Sequence, residues 1–210
     1  MHIVVIGNDA AFAECRAKFG EDHQYQHDNV FSIKHGQVDQ GMVIFDFNAD
    51  WTKEKLTIYD TVQPVPVFIN TVFTTLSEIL LMRNLPSTVF GFCGLPSFFN
   101  RSVLEITVAN PTGAEILTKV SGTLNTEFKI VKDQVGMVTP RVIAMIINEA
   151  YEALQQGVAS REDIDLSMKL GTNYPYGPFE WGDRIGLENV RKLLKALEKA
   201  TGDNRYHSNL

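Results

Sequence analysis

The sequence predicts a two-part fold, in which an α/β domain with a mostly parallel sheet precedes an all-helical domain. Over residues 1–132, short apolar runs alternate with segments of helical spacing. This alternation is typical of a parallel sheet that carries helices on its faces. Over residues 133–210 the strand-like runs stop and only helical patterns remain. The predicted domains are therefore residues 1–132 and 133–210.

Six strands and four helices are predicted in the α/β domain. The first strand, residues 2–6, is apolar throughout, as expected of a strand that is covered on both faces. The other predicted strands are 42–47, 65–69, 89–93, 104–108 and 127–131. Three predicted helices cover 10–19, 51–60 and 76–83. The fourth begins at Thr112, and Glu115 is expected to complete a capping box with it.

Three longer helices are predicted in the second domain. In the first, Thr139 is predicted as the N-cap and Pro140 as the first helical residue, where proline is well tolerated, and the helix runs to about Gln156. Its apolar residues cover more than one face, which indicates a central or an interface helix. The second helix is predicted to begin after Ser160 and to end at Gly171.

The end of the chain is predicted to contain a turn, a helix and a loose tail. The segment 174–181 is rich in proline and aromatic residues, so we expect a turn that packs against the core. Residues 187–200 place leucine and valine on one side and lysine on the other, which predicts an amphipathic helix. The final eight or nine residues are expected to be frayed.

The composition excludes several classes of protein. Apolar residues make up 44% of the 210-residue chain, which is ordinary for a folded protein. The net charge is -6 without a basic cluster, so neither nucleic acid nor a membrane surface is an expected partner. Two cysteines are too few for a disulfide scaffold. His23 and His27 have the spacing of a metal pair but lack a third ligand, so no metal is expected. These features predict a soluble, cytoplasmic protein.

Short motifs run through the second domain in a fixed order. They are Asn148-Glu149-Ala150, residues 157–165, residues 168–171, Tyr174-Pro175, residues 177–180 and Gly186-Leu187. Together they resemble the C-terminal domain of NAD-dependent 3-hydroxyacyl-CoA dehydrogenases of the 3-hydroxybutyryl-CoA dehydrogenase type. Upstream, residues 91–105 resemble the catalytic stretch of the same family.

The resemblance implies a Rossmann-like first domain that binds NAD. It also implies that the helical domain forms a homodimer and covers a site for acyl-CoA. The segment between Gly20 and Met42 is shorter than the corresponding part of the family, so the parallel sheet of this Rossmann-like domain is expected to be reduced.

The family binds the pyrophosphate of NAD through the motif G-x-G-x-x-G after the first strand, where glycines allow close approach of the backbone. Only Gly7 of this motif is present here, which makes it the one weak candidate for cofactor binding. Asp9 places a carboxylate where the phosphates approach, and Phe12 places a ring where the third glycine packs. Three aspartates are available to hold the ribose, although none follows a clear second strand: Asp22, Asp28 and Asp39. NAD binding is therefore expected to be weak or absent.

Four catalytic positions are carried over from the family, and three of them are substituted. The family uses a histidine base and, twelve residues later, a glutamate; here these positions hold Cys93 and Glu105. A thiol beside a carboxylate is a poor proton acceptor near neutral pH, because like charge raises its pKa. Val72 stands at the family's serine position and Pro140 at its asparagine position, and neither side chain forms hydrogen bonds.

Three hypotheses follow. The first is a dehydrogenase that transfers hydride between NAD and the 3-carbon of an acyl-CoA, with weak or lost activity. The second is a non-catalytic acyl-CoA-binding or assembly subunit that dimerises through its helical domain. The third is a different enzyme built around Cys93, although a buried packing role is the alternative for this residue. Glu105 either satisfies a strand-edge partner or remains from a catalytic site.

Overall fold

The computed structural model describes residues 1–28, 41–60 and 64–210. It contains two compact units, Met1–Met137 and Val138–Leu210. Residues 133–137, on the far side of the predicted boundary, lie in the first unit. Asp133 shows why, because its carboxylate accepts hydrogen bonds of 2.8 Å from the backbone N–H groups of Leu76 and Ser77.

A seven-stranded sheet forms the centre of the first unit, in the order β2-β1-β3-β4-β5-β6-β7. The strands are β1 His2–Ile6, β2 Gln24–Asp28, β3 Met42–Asp46, β4 Val67–Asn70, β5 Val89–Phe92, β6 Val103–Val108 and β7 Glu127–Ile130. All neighbouring strands are parallel except β5 and β6, which are antiparallel. The predicted α/β class is confirmed, and helices lie in the connections β1–β2, β3–β4, β4–β5 and β6–β7.

The second strand, β2, was not among the predicted strands. Its sequence, QYQHD, is polar, and it lies at one edge of the sheet with every residue at least partly exposed. An edge strand pairs through its backbone on one side only and needs no apolar run, so periodicity does not reveal it.

Helices α1 Asp9–Phe19, α2 Lys53–Leu56, α3 Leu76–Met82 and α4 Pro111–Leu124 connect the strands. The predicted helix over 51–60 is shorter, because a 3-10 turn replaces its second half. The predicted capping box at Thr112 is wrong. Asn110 caps α4 instead, since its side chain accepts a 3.0 Å hydrogen bond from the N–H of Gly113 and Pro111 occupies the first turn.

The second unit consists of α5 Thr139–Gln155, α6 Arg161–Thr172, α7 Pro178–Ile185 and α8 Leu187–Thr201. Ser160 caps α6 as predicted, with its side chain accepting from the N–H of Asp163. Two predicted helix ends are wrong. Helix α5 has Val138 as its N-cap residue, and α6 continues past Gly171 to end at Asn173, which takes the left-handed conformation at φ 56°.

Helix α7 replaces the turn predicted over 174–181. Its N-terminus is held by Asp165 of α6, whose carboxylate accepts from the N–H groups of Phe179 at 2.8 Å and Glu180 at 3.2 Å. The first turn also contains Pro178. The cap comes from a residue distant in sequence, so the local pattern of prolines and aromatics did not indicate a helix.

The predicted fraying of the chain end is also wrong. Tyr206 is 2% exposed, and Asn148 of α5 binds the tail on both sides. The amide nitrogen of Asn148 donates to the carbonyl of His207, and its oxygen accepts from the N–H of Asn209, both at 2.8 Å. No helix among the residues that the structure describes is long and apolar enough to cross a membrane.

Gly177 is required by the close approach of Asp165. A Cβ atom at Gly177 would lie 2.3 Å from the carboxylate carbon of Asp165, which is buried and holds α7. We therefore expect Gly177→Ala to lower the free energy of unfolding by about 2 to 3 kcal/mol. The measurement is urea denaturation followed by circular dichroism.

Gly171→Ala is the matched control for this substitution. Gly171 lies inside α6 and a Cβ atom there meets nothing within 4 Å. Alanine is the better helix former, so the control is expected to be neutral or stabilising by up to about 1 kcal/mol. Equal stability of the two variants would contradict the role of Asp165 described above.

Candidate functional site

The carboxyl edge of the first unit's sheet is the candidate site, because open α/β sheets bind ligands at this edge. Gly7 follows β1, Val72 follows β4 and Cys93 follows β5, while Glu105 lies on β6. Pro140 lies apart from these residues in sequence, in the first turn of α5 in the second unit.

Cys93 and Glu105 lie opposite each other across the antiparallel pair β5 and β6. The register pairs Phe92 with Ile106, so the next pair along the two strands is Cys93 and Glu105. Directly opposed residues of antiparallel strands share one face of the sheet. The twelve-residue spacing read from the sequence therefore spans the ten-residue connection between β5 and β6, residues 93–102, and the first residues of β6.

The thiol of Cys93 is 7% exposed, and this burial raises its pKa. The backbone N–H of Leu95 and the charge of Arg101 lower this pKa, while the negative charges of Glu105 and Glu14 raise it, and burial is the largest of these effects. A thiol in this environment stays neutral near pH 7. It is therefore neither a proton acceptor nor an activated nucleophile.

The loop after Cys93 is fastened to α1 by Glu14. This carboxylate accepts hydrogen bonds from the backbone N–H groups of Phe99 and Asn100 at 3.1 Å, and of Ser97 at 3.4 Å. Ser97 has a φ of 71°, so the loop adopts the left-handed conformation at this residue. Three backbone donors that face the α1 side are thus used within the chain.

The fastened loop places Phe99 in the core beneath the site. Its ring is fully buried. It packs at 5.0 to 5.6 Å, centroid to centroid, against four other phenylalanines: Phe19, Phe45, Phe47 and Phe92. Phe47 follows β3 directly, so apolar rings fill the space below the sheet edge between β1 and β5.

Asn70, at the end of β4, uses its whole amide to join neighbouring strand ends. Its nitrogen donates to the carbonyl of Phe47 at 3.0 Å, and its oxygen accepts from the N–H groups of Val72 at 3.3 Å and Gly94 at 3.0 Å. A Cβ atom at Gly94 would lie 2.9 Å from this amide, so only glycine allows the contact. Asn70 is therefore a structural residue.

Val72 and Pro140 offer no polar group at the positions for which the resemblance implies one. The side chain of Val72 is fully buried. Pro140 is buried in the first turn of α5 and has neither an N–H group nor a polar side chain. Whatever lies near these residues, they form no side-chain hydrogen bond to it.

The turn around Gly7 does not fit the pyrophosphate of a dinucleotide. Asn8 caps α1, and its side chain already accepts from the N–H of Ala11 at 2.9 Å. The fully exposed carboxylate of Asp9 lies in the first turn of α1, where it repels an anion. A Cβ atom at Gly7 would lie 3.2 Å from Phe47, so the space above this glycine is already filled.

Two carboxylates lie at the sheet edge: Asp28, one of the three aspartates that the sequence left open for the ribose, and Asp46, which the sequence did not single out. Asp39, another of the three, lies outside the described residues. Asp28 ends β2 and pairs with Ile6 of β1, which is the strand position at which dinucleotide folds hold the ribose. Its spacing from Gly7 was the available signal, but the unrecognised strand β2 hid its place. Asp46 ends β3 and had no signal in the sequence.

Asp46 is completely buried and has two hydrogen-bond donors. The hydroxyl of Tyr59 donates to one carboxylate oxygen, and the N–H of Asn48 donates to the other at 2.8 Å. Burial raises the pKa of Asp46 to about 6, although these hydrogen bonds and the nearby Lys55 act in the opposite direction. The hydrogen bond between Tyr59 and Asp46 thus joins the segment after α2 to the end of β3.

Comparison with known domain families matches residues 136–210 to the family described as 3-hydroxyacyl-CoA dehydrogenase, C-terminal domain. This match covers the whole second unit. The second unit is therefore a domain of the 3-hydroxyacyl-CoA dehydrogenase C-terminal type.

Curated relatives extend this similarity into the first unit. The chain is 51% identical over 76 residues to 3-hydroxyadipyl-CoA dehydrogenase of Escherichia coli, which is 36% of this chain and 16% of that protein. It is 32% identical over 140 residues to 3-hydroxybutyryl-CoA dehydrogenase of Clostridioides difficile, which is 65% of this chain and 50% of that protein. The chain thus spans half the length, or less, of these relatives.

The fold is shared with a solved member of the family. The crystal structure of (S)-3-hydroxybutyryl-CoA dehydrogenase from Ralstonia eutropha superposes with a TM-score of 0.74 at 19% identity. The alignment covers 99% of this chain and 90% of that chain. The predicted combination of a Rossmann-like domain and a helical domain is confirmed.

The second unit carries an apolar groove of about 680 Å³. Helices α5 and α6, the start of α7 and the tail line it. Its α5 residues are Arg141, Val142, Met145, Ile146, Glu149, Ala150 and Ala153. An exposed apolar surface of this kind marks an interaction site.

The burial of Cys93 predicts that its thiol does not react in the folded protein. In a Cys15→Ala variant Cys93 is the only thiol. We expect its reaction with 5,5′-dithiobis(2-nitrobenzoate) at pH 7.5 to be slower than in urea by at least about 100-fold. Fast reaction without denaturant would contradict the packing role and support an enzyme built around Cys93.

The raised pKa of Asp46 predicts that this residue makes the folded state less stable as pH rises. The folded protein holds the proton up to about pH 6, whereas the unfolded chain releases it near pH 4. The free energy of unfolding should therefore fall by about 2 kcal/mol between pH 4.5 and 7.5 because of this group.

Asp46→Asn should remove this part of the pH dependence, since the amide can accept from Asn48 and donate to Tyr59. Urea denaturation at the two pH values measures the difference. The exposed Asp50 provides the control variant Asp50→Asn, which should retain the dependence. An Asp46→Asn variant with the pH profile of the wild type would show that Asp46 does not carry it.

Proposed function

We propose that this family member has lost NAD-dependent oxidation of 3-hydroxyacyl-CoA and acts as a non-catalytic subunit that dimerises through its helical unit. The observation that carries the proposal is the pair of Cys93 and Glu105. The family's chemistry needs a base beside the glutamate, and a positioned base contributes about 10² to 10⁴-fold to the rate. A buried neutral thiol does not supply that base.

The remaining catalytic positions support the same proposal. Val72 and Pro140 replace two polar residues that the resemblance implies, so neither binds a substrate oxygen through its side chain. The substitutions remove different parts of the chemistry, namely the base and two hydrogen-bonding groups. Restoring one residue would leave the others absent.

The cofactor turn supports it independently. NAD is the cofactor of the family, and its pyrophosphate needs free donors, a favourable charge and open space at this turn. In this chain Asn8 uses a donor at the start of α1, the carboxylate of Asp9 repels an anion, and Phe47 fills the space above Gly7. Acyl-CoA binding stays a prediction from the resemblance, and the location in the cytoplasm stays a prediction from the composition.

The groove on α5 favours assembly with a second copy of the chain. Val142 and Met145 line it, and the side chain of Val142 is 49% exposed although it is apolar. Arg141 and Glu149 lie eight residues apart on the same helix and both face the groove. A two-fold axis brings each patch against its own copy. With two α5 helices antiparallel, Arg141 of one copy lies near Glu149 of the other.

Two measurements test the proposal. NADH oxidation with acetoacetyl-CoA should be indistinguishable from the blank, with a catalytically complete 3-hydroxybutyryl-CoA dehydrogenase as the positive control. Sedimentation analysis should give a dimer. Measurable turnover would contradict the loss of activity. A monomer at a protein concentration of about 50 μM would contradict the assembly role.

Val142→Glu should convert the dimer into a monomer, because it places a charge in the apolar groove. Val158→Glu is the matched control, since Val158 is 69% exposed in the loop after α5 and does not line the groove. Both positions are exposed, so both variants should remain folded. Dissociation by the control alone would place the interface elsewhere.

A further inference from the structure

The ring of His27 reaches from β2 to the turn after β1. Its Nε2 atom lies 2.7 Å from the carbonyl oxygen of Gly7. A carbonyl oxygen only accepts hydrogen bonds, so Nε2 carries the proton in this contact. The other ring nitrogen, Nδ1, lies 3.6 Å from the carboxylate of Asp9. One imidazole therefore contacts both ends of the strand–helix turn.

The same ring stacks on Phe12 of α1. The two ring centroids are 4.7 Å apart and the planes are nearly parallel, at 7°. Phe12 holds the position of the third glycine in the family's motif. Phe12, which departs from the motif, is thus packed against His27 of β2. The side chain of His27 remains 30% exposed.

The position of His27 overlaps with the path that a dinucleotide takes in this fold. The pyrophosphate lies at the N-terminus of the first helix and the ribose at the end of the second strand. His27 lies one residue before the end of β2 and bonds to the turn, so its ring lies between these two places. Asp28 points to the other face of the strand, where Gln26 donates to it at 2.8 Å.

We propose that His27, stacked on Phe12, is a built-in occupant that closes the former nucleotide turn. The inference rests on the proposed function and deepens it, since it names the contact that excludes the dinucleotide. His27 also stabilises the fold, because its ring joins the edge strand β2 to α1.

Rebuilding the turn tests this inference. Asp9→Gly with Phe12→Gly restores G-x-G-x-x-G at residues 7–12 while His27 remains. Adding His27→Ala removes the occupant, and adding His23→Ala instead is the control. His23 precedes β2 and faces the amino terminus of Met1 at 3.4 Å, away from the turn. Binding of NADH is measured by calorimetry and by nicotinamide fluorescence.

We expect no saturable binding by the wild type and at least tenfold tighter binding with His27→Ala than with His27 or with the His23→Ala control. Equal affinity with and without His27 would overturn the inference. Absence of binding in the folded triple variant would overturn it too, because another feature would then close the turn.

Urea denaturation of single variants tests the inference even where the triple variant does not fold. His27→Ala alone should lower the urea midpoint more than His23→Ala, since it removes the stack and the bond to Gly7. Equal midpoints would overturn the inference. NADH binding by the wild type without turnover would contradict this inference alone, whereas turnover would contradict the proposed function.

Discussion

The first unit depends on the way Asn70 fixes the carboxyl edge of the sheet. One side-chain amide joins the ends of β3, β4 and β5 through three hydrogen bonds, and the contact needs glycine at position 94. These bonds are made in a buried environment, where an unpaired polar group costs about 1 to 3 kcal/mol. The strand ends are therefore held by the protein itself. The places of Cys93 and Val72 follow from this arrangement, because both lie within two residues of the strands that Asn70 joins.

The same edge is where other folds of this type keep donors and space for a ligand. In this chain Asn8 takes one helix-terminal donor, Glu14 takes three loop donors, and the rings of Phe47 and Phe99 fill the space below. Each of these contacts satisfies its donor or fills its space within the chain. The described part of the sheet edge is thus held by contacts of the protein itself.

The sequence predicted the parts of the structure that depend on local pattern. The apolar strands, the class of each unit and the cap at Ser160 were predicted because periodicity and capping are local signals. Strand β2, helix α7 and the docked tail depend on contacts between residues distant in sequence, such as Asp165 with Phe179 and Asn148 with His207. The opposition of Cys93 and Glu105 could be anticipated from family spacing, whereas the buried Asp46 and the stacked His27 could not. Their roles come from neighbours that only the folded chain brings together.

The family motifs of the helical unit have a structural explanation in this chain. Asp165 and Gly177 form one contact that positions α7. Glu180 pairs with Lys169 at 2.7 Å, and Asn148 holds the tail. These residues keep the helical unit folded whether or not any reaction takes place. The substitutions of the first unit lie instead where a cofactor and a base are needed. A strong family match over residues 136–210 is therefore evidence for the fold and for the surface of this unit, and activity has to be judged from Cys93, Glu105 and the turn after β1.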